Sequence, residues 1–216
     1  MRTVFQTKNL SFLDMVHYPD ILIEGGITTF LTGPSGSGKS TLLRLFNKTL
    51  SPSSGQILFS GQDIAEMKTQ SLRRRVLLGG QSVYLFSGSV ADNFRRFFAY
   101  RRQTAPDDSA MRYFLALCRA DFALEAPCDT MSGGERQRVF LAICLAMQPE
   151  VLMLDEPSSA LDRQHADAVI QGIKSWCSEK GVTLLVVSHD PALTERFSDR
   201  TICLKGEMHD GQHCYH

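Results

Sequence analysis

The stretch Gly33-Pro34-Ser35-Gly36-Ser37-Gly38-Lys39-Ser40-Thr41 constrains this chain more than any other. A glycine, a four-residue spacer and then Gly-Lys-Ser is the order of a loop built to hold phosphate. Gly33, Gly36 and Gly38 can take backbone angles closed to other residues, so successive N–H groups can converge on one anion. Lys39 adds a mobile positive charge for the β- and γ-phosphates, and the Ser40 hydroxyl is placed to ligate Mg²⁺. The apolar run from Ile27 to Leu31 reads as a buried strand and Leu42 to Phe46 as a helix, which is the context such a loop needs.

The chain has 216 residues, enough for one α/β domain with at most a modest subdomain. Its 23 basic and 23 acidic residues cancel, so no global field favours nucleic acid. The start, Met1 to Lys8, has no apolar core of signal-peptide length. The longest apolar run, Phe140 to Met147, is far short of the roughly 20 residues that span a bilayer. We therefore expect a cytosolic protein that serves a membrane only through a partner. Cys118, Cys128, Cys144, Cys177, Cys203 and Cys214 form no Cys-x-x-Cys pair and read as reduced, mostly core thiols. The tail carrying His209, His213, Cys214 and His216 reads as a polar terminus rather than a metal site.

Ahead of the phosphate loop, Thr3-Val4-Phe5, Asn9 to Phe12 and Ile21 to Ile23 read as short strands, followed by a turn at Gly25-Gly26. Beyond it, Ser51 to Gly55 is a turn and Gln56 to Phe59 a strand. Arg73-Arg74-Arg75 reads as cations at a helix carbonyl end rather than a nucleic-acid patch. Val76 to Leu78 is a buried strand leading to Gln81. From Ser89 to about Gln148 the pattern is mainly helical, with helices at Asp92 to Phe98 and Asp108 to Cys118, which implies a lobe able to move against the core.

Ser132 can cap the helix that follows it, with Glu135 at capping-box spacing. Gly133 and Gly134 bare amides at the same helix end, so on the residues alone a cap and an anion site are both open readings. Val151 to Leu154 is a buried strand with Asp155 and Glu156 at its carboxyl end. Neighbouring strand residues face opposite ways: Asp155 suits an Mg²⁺ shell, and Glu156 is better placed to polarise a water for attack on the γ-phosphate. A helix from Arg163 to about Lys180 stops at Gly181, and Val182 to Val187 is a strand ending in Ser188-His189-Asp190. His189 there is a phosphate contact or an ordinary polar strand end. Thr201 to Leu204 is the last strand.

In this order the segments resemble the nucleotide-binding subunit of ABC transporters over nearly the whole chain. The resemblance implies one α/β domain: a P-loop NTPase core with an amino-terminal antiparallel β subdomain (together 1–82 and 149–216) and an inserted α-helical subdomain (83–148). Gly33 to Thr41 matches the Walker A loop, Gln81 the Q-loop glutamine, Ser132-Gly133-Gly134 the signature, Asp155 the Walker B aspartate, Glu156 the catalytic glutamate, Ser159 to Asp162 the D-loop and His189 the switch histidine. Phe12 is the implied adenine-stacking aromatic, with Tyr18 a poorer second.

ATP and Mg²⁺ are the implied ligands, and Ser40, Gln81 and Asp155 the implied metal set. A second copy of the chain would pair head to tail, its signature capping ATP held by the first. An integral membrane permease subunit is the other implied partner, nucleic acid is not one, and the protein would sit on the inner face of the membrane. The groove around Phe94 to Arg102 is the expected docking surface. Two residues depart from the family pattern: Met131 replaces Leu, and Glu135 replaces Gln, bringing a carboxylate near the phosphates. A soluble ABC ATPase acting as an assembly or mechanical factor is the competing reading. A co-purifying polytopic membrane protein discriminates the two.

Overall fold

The structure, a computed structural model, describes residues 2–13 and 15–204; the His- and Cys-bearing tail lies outside the described residues. Two sheets organise the chain. The first is antiparallel: β1 (Thr3–Phe12) is flanked by β2 (Val16–His17), β3 (Leu22–Glu24) and β5 (Ser54–Phe59), and β6 (Gln62–Asp63) pairs with β5. The stretches from Thr3 and from Asn9, read above as separate strands, are one strand. Its register slips between Lys8 and Ser11, where Asn9 takes φ 48°. A bulge absorbs the polar interruption without ending the ladder.

The second sheet is parallel, in the order β10-β4-β9-β8-β7, made of β4 (Thr28–Thr32), β7 (Val76–Gly79), β8 (Val151–Asp155), β9 (Thr183–Val187) and β10 (Arg200–Cys203). All residues of β8 and β9 are buried, as near-continuous apolar strands covered on both faces should be. Alternate residues enter two different cores. Phe30, Leu152, Leu154, Leu184 and Val186 join one cluster, while Leu31, Val151, Met153, Leu185 and Val187 join the other.

The second of those clusters packs the antiparallel sheet and α1 (Lys39–Phe46) against one face of the parallel sheet. The first fills the space between the other face and the helices α3 (Val90–Tyr100), α4 (Asp108–Leu117), α5 (Gly133–Ala146) and α6 (Arg163–Lys180). Two further short helices, α2 (Thr69–Arg75) and α7 (Pro191–Phe197), flank β7 and β10.

Helix ends follow their sequence signals closely. Ser89 and Asp92 form a capping box at the start of α3, Asp107 caps α4, and Gly181 closes α6 at φ 66°. The helical stretch is less continuous than its composition suggests, because the segment from Cys118 to Ser132 holds only a short 3-10 turn at Cys128–Thr130. Arg73, Arg74 and Arg75 do lie in the last turn of a helix. Arg73 donates to the carbonyls of Asn47 and Lys48 just past α1, and Arg75 pairs with Glu150 at 2.6 Å.

In the expected docking groove, Phe94 and Phe98 are core residues rather than surface ones. The exposed side of α3 carries Arg95, Arg96 and Tyr100. An amphipathic helix has only one outward face, and here the aromatic side was needed inside. Among the described residues, no helix is long and apolar enough to cross a membrane.

Candidate active site

Four neighbouring strands of the parallel sheet deliver their carboxyl ends to one edge. The phosphate loop follows β4, Gln81 follows β7, Asp155 ends β8 with Glu156 next to it, and His189 follows β9. This is where open parallel sheets place ligands. A cavity of about 330 Å³ opens there, lined by Ser35, Gly36, Lys39, Ser40, Gln81, Glu156, Ser159, Val187 and His189.

The loop owes its shape to its glycines. Gly33 has φ 139°, and a Cβ added to it would lie 2.2 Å from the Leu204 carbonyl oxygen. Gly36 (φ 79°) has open space around it, and Gly38 (φ 86°) occupies the N-cap position of α1. Tyr18 braces the loop from below: its hydroxyl donates to the Gly38 carbonyl at 3.0 Å and hydrogen-bonds the Thr41 side chain. Burial pushes its pKa up to about 12. Tyr18 is therefore a buried prop beneath the loop, and its ring has no free face for a base.

Lys39 is buried, and its ammonium donates to the carbonyls of Gly33 (2.9 Å) and Pro34 (2.8 Å). Burial lowers its pKa, with the charges of Glu156 and Asp155 opposing that shift. Ser40 Oγ donates to Asp155 Oδ1 at 2.9 Å. Asp155 reaches Ser40 because it falls on the same side of β8 as Met153, toward the core that contains α1.

Glu156 turns the opposite way through a left-handed backbone (φ 53°), pinned by its N–H donating to the Val187 carbonyl at 3.0 Å. That conformation costs a non-glycine residue about 1–2 kcal/mol, and nothing in the sequence signals it. Burial raises the Glu156 pKa, with His189 opposing. His189 Nε2 stands 3.4 Å from Glu156 Oε1. The angle makes no hydrogen bond, so this buried oxygen has no hydrogen-bond partner. A carboxylate whose pKa burial has raised, facing a cavity, is a better proton acceptor than a solvated one. Ser40, Asp155 and Gln81 offer hydroxyl, carboxylate and amide oxygens, a donor set that fits a hard cation such as Mg²⁺.

Other expected residues stand apart from this cavity. Ser132, Gly133 and Gly134 lie at the start of α5 and do not line it. Both halves of the capping box form there: Ser132 Oγ accepts from the Glu135 amide at 3.4 Å, and Glu135 Oε2 accepts from the Ser132 amide at 2.8 Å. Those bonds hold the Glu135 carboxyl below its usual range. Gly134 packs so closely on the D-loop that an added Cβ would lie 2.7 Å from the Ala160 oxygen. Asp162 caps α6, accepting from the His165 amide at 3.0 Å, and its carboxylate lies 2.6 Å from His165 Nδ1. Phe12 ends β1, half-buried beside Val16, its cross-strand partner.

Two supports were missed in the sequence. Asn93 is fully buried, accepting from the Phe86 amide and donating to the Phe86 and Ser89 carbonyls. Arg136 donates to the carbonyls of Cys128 and Leu85. Together they fasten the segment after Gln81 to α3 and α5. A polar residue on the apolar face of a helix, as Asn93 is, was the available signal.

A family model described as ABC transporter matches residues 18–159. The chain is 38% identical over 186 residues to Protein STAR1 of Oryza sativa subsp. japonica, covering 86% of this chain and 53% of that one. It is 32% identical over 219 residues to the probable iron export ATP-binding protein FetA of Escherichia coli K12, covering 97% of this chain and 96% of FetA. Among solved structures, cbiO1 from Clostridium perfringens, part of the ABC transporter complex cbiONQ, superposes with a TM-score of 0.83 at 27% identity. That match covers 95% of this chain and 86% of cbiO1. The chain thus spans about half the length of STAR1 and nearly all of FetA. A family match over most of the chain agrees with the phosphate loop and the carboxylates beside it, so the chain belongs to the ABC transporter family, as one of its ATP-binding cassette ATPases.

Proposed function

We propose that this ATPase powers a separate membrane-spanning permease subunit, and that two copies close head to tail around ATP. The observation that carries the reading is the separation of Ser132, Gly133 and Gly134 from a cavity that gathers Lys39, Gln81, Glu156 and His189. Phosphate-binding groups that cannot reach the cavity of their own chain are available to a partner's, and a twofold axis makes that exchange reciprocal. Gly33 to Thr41 hold the phosphates, and Phe12 stacks on adenine. Ser40, Asp155 and Gln81 hold Mg²⁺, which when bound neutralises phosphate charge. Glu156 accepts the proton of the attacking water, and His189 keeps that carboxylate and the γ-phosphate in register. Asp162 fixes the D-loop at the mouth of α6. The assembly sits on the inner face of the membrane through its permease.

The test is Glu156→Gln. ATP binding should persist, turnover should fall by about 10²–10⁴-fold, and an ATP-dependent dimer should accumulate on size-exclusion chromatography. Undiminished hydrolysis would overturn the assignment of Glu156. Co-purification of a polytopic membrane protein with the tagged chain supports the transport role; a water-soluble partner alone would favour the assembly-factor reading.

A further inference from the structure

Away from the catalytic cavity, Arg73, Arg74, Arg101 and Arg102 surround a recess of about 160 Å³, with Gln70 and Tyr100 completing its wall. It lies where the end of α2 meets the end of α3. The chain as a whole is neutral, with 23 basic and 23 acidic residues, yet no carboxylate lines this recess.

Backbone carbonyls hold three of the guanidinium groups in place. Arg101 donates to the carbonyls of Arg73 (3.2 Å) and Arg74 (2.9 Å), Arg74 donates back to that of Arg101 (2.9 Å), and Arg73 donates to those of Asn47 and Lys48. Carbonyls orient a cation without neutralising it. Arg102 takes φ 53°, its N–H donates to the Ala99 carbonyl at 2.9 Å, and among the described residues its guanidinium makes no hydrogen bond or ion pair. Burial, with the charge of Arg74 adding to it, lowers the pKa of Arg101.

The charged groups of the recess are thus all donors, and the guanidinium fork matches the oxygen edge of a phosphate or a carboxylate. The fork of Arg102 and the N–H groups that Arg73, Arg74 and Arg101 keep beyond their carbonyl bonds offer more donors than one carboxylate accepts, whereas a phosphate group presents several charged oxygens at once. We propose that this recess is a binding site for a phosphate group, supplied either by free phosphate or pyrophosphate or by an anionic phospholipid headgroup. Its position gives it a mechanical consequence. α2 runs directly into β7 and on to Gln81, and α3 begins after that segment. A phosphate held between Arg74 and Arg101 adds to the hydrogen bonds that already tie the end of α2 to the far end of α3, the two helices between which the Gln81 segment runs.

The test uses the full chain saturated with ADP, so that the phosphate loop is already filled. Pyrophosphate binding is followed by calorimetry, and flotation with phosphatidylcholine vesicles containing phosphatidylglycerol is measured in parallel. Both are repeated on Arg74→Gln and Arg102→Gln, with thermal midpoints checking the fold. Pyrophosphate binding that weakens about tenfold in each variant supports the site with a free phosphate as ligand. Flotation lost in the same variants supports it with a lipid headgroup as ligand. Binding that is equal in wild type and variants, or absent with both probes, overturns the proposal. So does a poly-glutamate peptide that binds more tightly than pyrophosphate and depends on the same arginines, which would assign the recess to an acidic protein partner.

Discussion

Ser40 Oγ donates a hydrogen bond of 2.9 Å to Asp155 Oδ1, joining the first turn of α1 to the carboxyl end of β8. The bond ties the helix of the phosphate loop to the carboxylate pair and places two hard oxygen donors together. Ser40→Ala should leave the fold intact and weaken nucleotide binding about tenfold in Mg²⁺ while changing little in EDTA. Asp155→Asn should lose more, because a charge goes as well as a ligand. Titrations of a fluorescent ATP analogue with and without Mg²⁺ decide it; equal losses under both conditions would separate Ser40 from the metal.

Glu156 makes stability depend on pH in a direction that can be worked out. Its carboxyl pKa is raised in the folded chain, chiefly by burial. The folded state therefore favours the neutral form, and that advantage is fully present below the unfolded value near 4.3 and lost as pH rises through the folded value. Glu156→Gln imitates the neutral form. Its melting temperature should exceed that of wild type at pH 7, and the difference should vanish as pH falls toward about 4. A difference that grows on acidification would contradict the burial of this carboxylate.

Two glycines of one loop should respond unequally to alanine. At Gly33 a Cβ would press on the Leu204 carbonyl at 2.2 Å, and φ is 139°. At Gly36 the space is open, and only the cost of φ 79° remains, about 1–2 kcal/mol. Thermal melts should therefore show Gly33→Ala destabilised beyond Gly36→Ala, with the carboxyl end of β10 disturbed only in the first. Comparable melting temperatures would mean that the contact with Leu204 relaxes freely.

The proposed roles of Phe12 and Tyr18 predict different responses. Phe12→Ala should weaken ATP binding while leaving binding of pyrophosphate at the phosphate loop unchanged, since it removes a surface for the base. Tyr18→Phe deletes the donor to the Gly38 carbonyl and should cost about 1 kcal/mol of stability, with ATP and pyrophosphate affected alike. Isothermal titration of both ligands on both variants makes the comparison. Retention of full ATP affinity in Phe12→Ala would move the base elsewhere.

Much of this arrangement was legible because the informative residues mark backbone events. Gly33 to Thr41, the apolar runs of β8 and β9, and Gly181 each have few structural alternatives, and the fold follows them closely. Less was legible where tertiary packing chose among local options. The bulge at Asn9 looks like a strand break in sequence, because strand pairing supplies what local propensity lacks. The left-handed turn at Glu156 and the inward face of Phe94 depend on neighbours far along the chain. Ser132-Gly133-Gly134 reads from its residues alone as a cap or an anion site, and of these the structure forms the cap.

The neighbouring strands β7, β8, β9 and β4 act as a ruler for this site. Adjacent strands are held about 4.8 Å apart by their backbone hydrogen bonds, whatever apolar side chains they carry. Exchanging one core residue for another of similar volume changes how firmly the ruler is held and leaves its divisions alone. Inserting a single residue into β8 would be different in kind. It would slide Asp155 along by about 3.3 Å and turn it to the opposite face, placing it where Glu156 now begins its turn. The scale of the chemistry is thus written in the sheet's main chain, which leaves the side chains of the surrounding lobes free to vary.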